Sequence, residues 1–173
     1  GITDFSELPG EFVNNFIKTA NAQPTAADLD EQEFAAYKET KKNELEAYGT
    51  GKGQSKYTPD NWKVIQDAVT AGQNAIDNAA DKAAVDTAFE TAKTEIDDVQ
   101  TIAQELDVYK GNKKAELDAY GTGKGQDNYT SDNWQAIQDA VTTGQNAIDK
   151  AADKAAVDTA YNAATANIDA VKT

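Results

Sequence analysis

Apolar residues recur three and four positions apart along most of the chain, with polar residues between them. That is the period of helices with one buried face. The first stripe is Phe34, Tyr37, Lys41, Leu45 and Tyr48. It follows an acidic start at Asp30, with Glu33 three residues on as a capping-box partner, and the Lys41 stem can lie along the apolar side. Gly49 is the expected stop. The second stripe is Trp62, Ile65, Ala68, Val69, Gly72, Ala75 and Ile76. Thr58 is its N-cap, Pro59 its first helical residue, and Tyr57 packs back on Trp62 as a hydrophobic staple. Gly72, within this helix, points to close helix–helix approach. The third stripe, Val85, Ala88, Phe89, Ala92, Ile96 and Val99, starts behind Asp81. Its phase runs on through Ile102, Leu106 and Tyr109. Apart from Gly72, no Gly or Pro lies between Pro59 and Gly111. The spacing therefore predicts one continuous helix from about Asp81 to Ala119, roughly 58 Å long.

The same pattern is present twice. Lys41–Thr101 aligns with Lys113–Thr173 without a gap, and 44 of 61 positions are identical. Gln32, Glu33, Tyr37 and Lys38 recur as Gln104, Glu105, Tyr109 and Lys110. The expected organisation is all-α: an N-terminal segment 1–28, one three-helix module over 29–101 and a second over 102–173, the two bundles joined by the shared helix. In the N-terminal segment Phe12, Val13, Phe16, Ile17 and Ala20 mark a short amphipathic helix, read as a cap on the first module or as a contact for a preceding domain. The duplication has copied polar positions as well as apolar ones, so identity alone marks no site.

Composition narrows the function. Cys, His and Met are absent, and all 16 cations are Lys. This removes thiol chemistry, disulfides, histidine metal sites and the commonest general base. A net charge of −14 argues against nucleic acid. No apolar run is long enough to cross a membrane as a helix. No leader peptide is recognisable, so the chain reads as a mature segment or an excised fragment. The 31 alanines among 173 residues suit closely packed helices.

Candidate chemistry is sparse. Gly49-Thr50-Gly51-Lys52-Gly53-Gln54 resembles a phosphate-binding loop but lacks its spacing and a preceding strand. Asp60, Asn61, Asp127, Asn128, Asp132 and Asn133 lie at helix starts, where they cap, and lack EF-hand spacing. Asp97 and Asp98 are neighbours on one helix and point apart, unlike a glycosidase pair. Trp62 and Trp134 sit in the apolar stripe and are expected in the core rather than as sugar platforms. No catalytic, cofactor-binding or metal residue is expected. What remains is the polar face of the second helix of each module. In the first module it carries Lys63, Gln66, Asp67, Thr70, Gln73, Asn74 and Asp77, and in the second Gln135, Gln138, Asp139, Thr142, Gln145, Asn146 and Asp149. Such a face is either solvated surface or a partner-binding surface.

The string Tyr57-Thr58-Pro59-Asp60-Asn61-Trp62, the Ala-rich helix ending Ala75-Ile76-Asp77, then Ala84-Val85-Asp86-Thr87-Ala88-Phe89 and Ile96-Asp97-Asp98-Val99 resemble the FIVAR module ("found in various architectures"). The likeness covers about Leu45–Val99 and Leu117–Val171. It implies three-helix bundles in tandem, on secreted or wall-attached proteins of Gram-positive bacteria, without catalysis. On that footing the expected role is binding of a host protein, an immunoglobulin or a matrix protein, by a chain expected to be monomeric. The alternative is a rigid spacer or an accessory carbohydrate-associated module. The Gly-Thr-Gly-Lys-Gly-Gln loop is longer than the family usually has.

Overall fold

A computed structural model describes residues 25–173. Phe12, Val13, Phe16, Ile17 and Ala20 lie outside them. Among the described residues there are six α-helices and two short 3-10 turns, and no strand. The helices are α1 Ala26–Gly51, α2 Pro59–Asp77, α3 Lys82–Asp97, α4 Ile102–Thr122, α5 Ser131–Lys150 and α6 Lys154–Asp169. The 3-10 turns are Gln54–Lys56 and Gln126–Asn128.

Local chemistry explains most boundaries. Thr58 accepts the Asn61 N–H at 3.2 Å, and the rings of Tyr57 and Trp62 lie 6.1 Å apart. Tyr129 and Trp134 repeat the staple at 6.2 Å. Asp81 and Asp153 cap α3 and α6 by accepting the backbone N–H of Ala84 and Ala156, each at 2.8 Å. Gly53 and Gly125 take φ of 83° and 77°, the left-handed backbone that lets the chain leave one helix and turn toward the next.

Four expectations need correction. First, α1 starts at Ala26 rather than near Asp30, because Thr25 and Asp28 exchange bonds: the Asp28 N–H donates to Thr25 Oγ1 and the Thr25 N–H to Asp28 Oδ2. Second, Gly49 does not stop α1, which runs on to Gly51. Gly49 is buried, and a Cβ there would sit 2.5 Å from Val69 Cγ2, so the glycine serves close approach to α2. Third, Trp62 and Trp134 are half-buried. They lie in the first turn of their helices, beside the staple, while Ile65 and Ile137 one turn later are closed off from solvent.

Fourth, the shared helix does not exist. Helix α3 ends at Asp97 and α4 begins at Ile102. Thr101 has extended backbone and forms a complete capping box: it accepts the Gln104 N–H at 3.2 Å and donates its own N–H to Gln104 Oε1 at 2.9 Å. The apolar phase continues in sequence but not in space, for Ile102 is 47% exposed. Replacing Thr101 with alanine is expected to destabilise the start of α4 by about 1 kcal/mol. The reading is amide exchange at Gln104, which should quicken; unchanged protection would mean that Thr101 is not the cap.

The described residues divide into two compact units, one holding 25–51 with 65–96, the other 52–64 with 97–173. In the first, Leu45, Ile65, Ala68, Ile76, Val85, Phe89, Ala92 and Ile96 are buried. In the second, α4, α5 and α6 each pack on the other two. Their core is Leu117, Ile137, Val141, Ile148, Val157, Ala164 and Ile168. Gly72 and Gly144 answer the expectation of close approach. A Cβ on Gly72 would lie 2.5 Å from Ala92 Cβ and 2.6 Å from Leu45 Cδ2, and Gly144 meets Ala164 and Leu117 in the same way.

Candidate functional site

Many of the polar positions shared by the repeats hold helices together. The Tyr37 hydroxyl donates to Asp86, and Tyr109 to Asp158 at 2.6 Å. Lys42 pairs with Asp77 at 3.0 Å, and Lys114 with Asp149 at 2.9 Å. The Gln73 amide donates to the Lys42 carbonyl, and Gln145 to that of Lys114, both at 3.3 Å. Asn61 donates to the Gln100 carbonyl at 2.9 Å and Asn133 to that of Lys172 at 2.8 Å. The lysine of the glycine-rich loop is tied down too. Lys52 pairs with Asp97, and Lys124 with Asp169 while lying 4.6 Å from the centre of the Tyr120 ring. These ammonium groups are turned onto the third helix of the repeat rather than offered to a phosphate. Asn61, Asn128 and Asn133 each donate to a backbone carbonyl. Among the described residues no three Asp or Glu are grouped as metal ligands, and no helix is long and apolar enough to cross a membrane.

These bonds shift titrations at both ends of the pH scale. Hydrogen bonds from Lys124, then from Tyr120, hold the Asp169 carboxyl below its ordinary value. Its contribution is present above the unfolded carboxylate pKa and is lost as pH falls through the lowered folded value. Donation to Asp158 and Asp169 raises the Tyr109 and Tyr120 phenols, and the bond to Asp169 raises Lys124. Those contributions are complete below the unfolded pKa values and are lost as pH rises through the raised ones. With no His or Cys in the chain, the melting temperature is expected to stay flat from about pH 5 to about pH 9. A step inside that window, seen by circular dichroism, would contradict it.

The polar face of the second helices splits in two. Gln73, Asp77, Gln145 and Asp149 are bonded to the first helix of their repeat as described. Gln66, Asp67, Thr70 and Asn74, with Gln138, Asp139, Thr142 and Asn146, are exposed, as are Lys63 and Gln135. Gln135 donates to Asp139 at 2.9 Å. Between α4 and α5 this face borders a groove of about 220 Å³ lined by Asp118, Gly121, Thr122, Trp134, Ile137, Gln138, Val141, Thr142 and Gln145. Gly121 floors it: a Cβ there would meet Val141 Cγ2 at 2.5 Å. The side chains of Asp118, Gln138 and Thr142 make no hydrogen bond to other described residues, so their polar atoms face solvent.

Sequence reasoning found Gln138, Thr142 and Gln145 but missed Asp118, Gly121 and Thr122, which come from another helix, and placed Trp134 in the core. A signal existed. Eight of the nine lining residues are identical at the matching positions of the first repeat, and the ninth is Glu46 for Asp118. Elsewhere the repeats have drifted. The groove between α2 and α3 is lined in part by Ala71, Thr91 and Glu95, which become Thr143, Ala163 and Asn167. A single duplication gave both faces the same time to diverge, so its recency does not account for the difference. No protein-family model, no curated protein sequence and no solved structure matches the chain.

Proposed function

We propose that the protein is a non-catalytic, extracellular surface module of the FIVAR kind that binds a host protein, an immunoglobulin or a matrix protein, through the face shared by the first two helices of each repeat. One observation carries this reading: four exposed polar residues of the second helix, Gln66, Asp67, Thr70 and Asn74, recur unchanged as Gln138, Asp139, Thr142 and Asn146, while Lys63 on the same face has become Gln135. Bonds to the first helix explain Gln73 and Asp77, but not Gln66 or Asn74. Two copies of one weak site raise overall affinity when a ligand engages both. The acidic surface disfavours nucleic acid. The rigid-spacer alternative rested on the shared helix and on the absence of any recognisable site; the first of these supports is missing, since the helix is interrupted between Asp97 and Ile102.

The test is surface plasmon resonance with the full chain against purified immunoglobulins and extracellular-matrix proteins. One of them is expected to bind saturably at about micromolar affinity or tighter. Replacing Gln66, Asn74, Gln138 and Asn146 together by alanine is expected to weaken it at least tenfold while circular dichroism is unchanged. No saturable binding by any of them would sink the proposal.

A further inference from the structure

Resting on that reading, we propose that the α4–α5 groove receives a cationic side chain, an arginine above all, from a basic segment of the protein partner. Size comes first. At about 220 Å³ the groove lies below the roughly 300–1,000 Å³ of sites that enclose a whole small molecule. It suits one anchoring side chain of a larger ligand.

Charge chooses the class. Asp118 is the groove's charged residue, and no lysine lines it. Lys114, four residues before Asp118 on α4, is paired with Asp149. The whole chain carries −14 and would draw in a basic segment and repel an acidic one. The matching residue in the first repeat is Glu46, so the exchange between copies has kept the carboxylate.

Shape and chemistry favour guanidinium over ammonium. Trp134 is half-buried and lines the same groove as Asp118, giving it an aromatic surface as well as a carboxylate. A planar guanidinium can stack on an indole and donate to a carboxylate at the same time. The Gln138 amide oxygen and the Thr142 hydroxyl supply acceptors for the remaining N–H groups.

The experiment uses the full chain and a short acetylated, amidated peptide bearing two arginines. Its control is the same peptide with citrulline, which keeps the shape and removes the charge. A neutral hexose oligosaccharide is the third probe. Binding is read by ¹H–¹⁵N NMR at the Trp134 indole and the Gln138 side-chain amide. The arginine peptide is expected to shift both signals saturably and the citrulline peptide to bind at least tenfold more weakly. Glu46→Gln with Asp118→Asn should weaken the arginine peptide about tenfold, the scale of one charge-assisted hydrogen bond. Asp127→Asn, an exposed carboxylate outside the groove, should change little. Equal loss in both variants would reduce the effect to diffuse charge and overturn the proposal, as would equal binding of citrulline or tighter binding of the oligosaccharide. A host protein that binds independently of Glu46 and Asp118 would sink this inference and leave the broader reading standing. An arginine peptide that binds the groove while no host protein binds would do the reverse.

Discussion

Replacing Leu117 with alanine is expected to cost the second repeat about 3 kcal/mol, within the usual range for a deleted core leucine. Leu117 is closed off from solvent and sits in the core formed by α4, α5 and α6. Its Cδ2 lies where a Cβ on Gly144 would project, so it fills the space the glycine opens. The neighbours are alanines and branched aliphatics on helices that already touch, and they have little freedom to collapse into the void. Urea denaturation followed by far-UV circular dichroism measures the loss. A change under about 1 kcal/mol would show that Leu117 is not held in the core.

The converse substitution is expected to be almost as harmful. Gly144→Val adds a branched side chain where even its first carbon would fall on Ala164 Cβ and Leu117 Cδ2. Overpacking of this kind costs about 3 kcal/mol at the upper end of its range. Gly144→Ala is the finer probe. Alanine recovers about 1 kcal/mol of helix propensity and loses somewhat more to the same collision, leaving a net loss of about 1 kcal/mol. Ala164→Gly alone should also destabilise α6. Combined with Gly144→Ala it moves one methyl across the interface and should recover most of the collision cost. Strictly additive losses in the double variant would mean that the two positions do not touch.

How far the sequence could be read depended on whether the cause was local. Thr58, Pro59, Tyr57 and Trp62 act within one turn of each other, and the start of α2 was legible from them. Asp81 was equally plain. Gly72 could be read as a close approach because glycine inside a helix needs a reason. Gly49 carries the same residue type for the same reason, yet its position near a cluster of glycines imitated a helix stop. Only Val69, twenty residues away, decides the matter. Thr101 and Gln104 form an ordinary capping box, but the apolar phase through Ile102 argued the other way. Phase along a sequence does not report whether a residue has a neighbour to pack on, and Ile102 is largely in solvent. The groove was half legible. Its α5 residues stood out as a polar face, while Asp118 and Thr122 required knowing which helix lies alongside.

The bonds that tie the helices together carry no label for the copy to which they belong. Lys42 is as well suited to Asp149 as to Asp77, Tyr37 to Asp158 as to Asp86, and Gly72 to Ala164 as to Ala92. During folding, a helix from one repeat therefore meets in the other a partner of almost equal chemical merit. Choice between native and crossed pairings falls to loop-closure entropy, which favours the partner nearer along the chain. Crossed pairing is a known hazard of repeated domains. Within the closely matched stretch Lys41–Thr101 and its copy, the third helices, where Phe89 faces Tyr161 in the alignment and Lys93 faces Thr165, are where the repeats differ most. Drift there gives the chain a chemical means to tell its own helix from the other's.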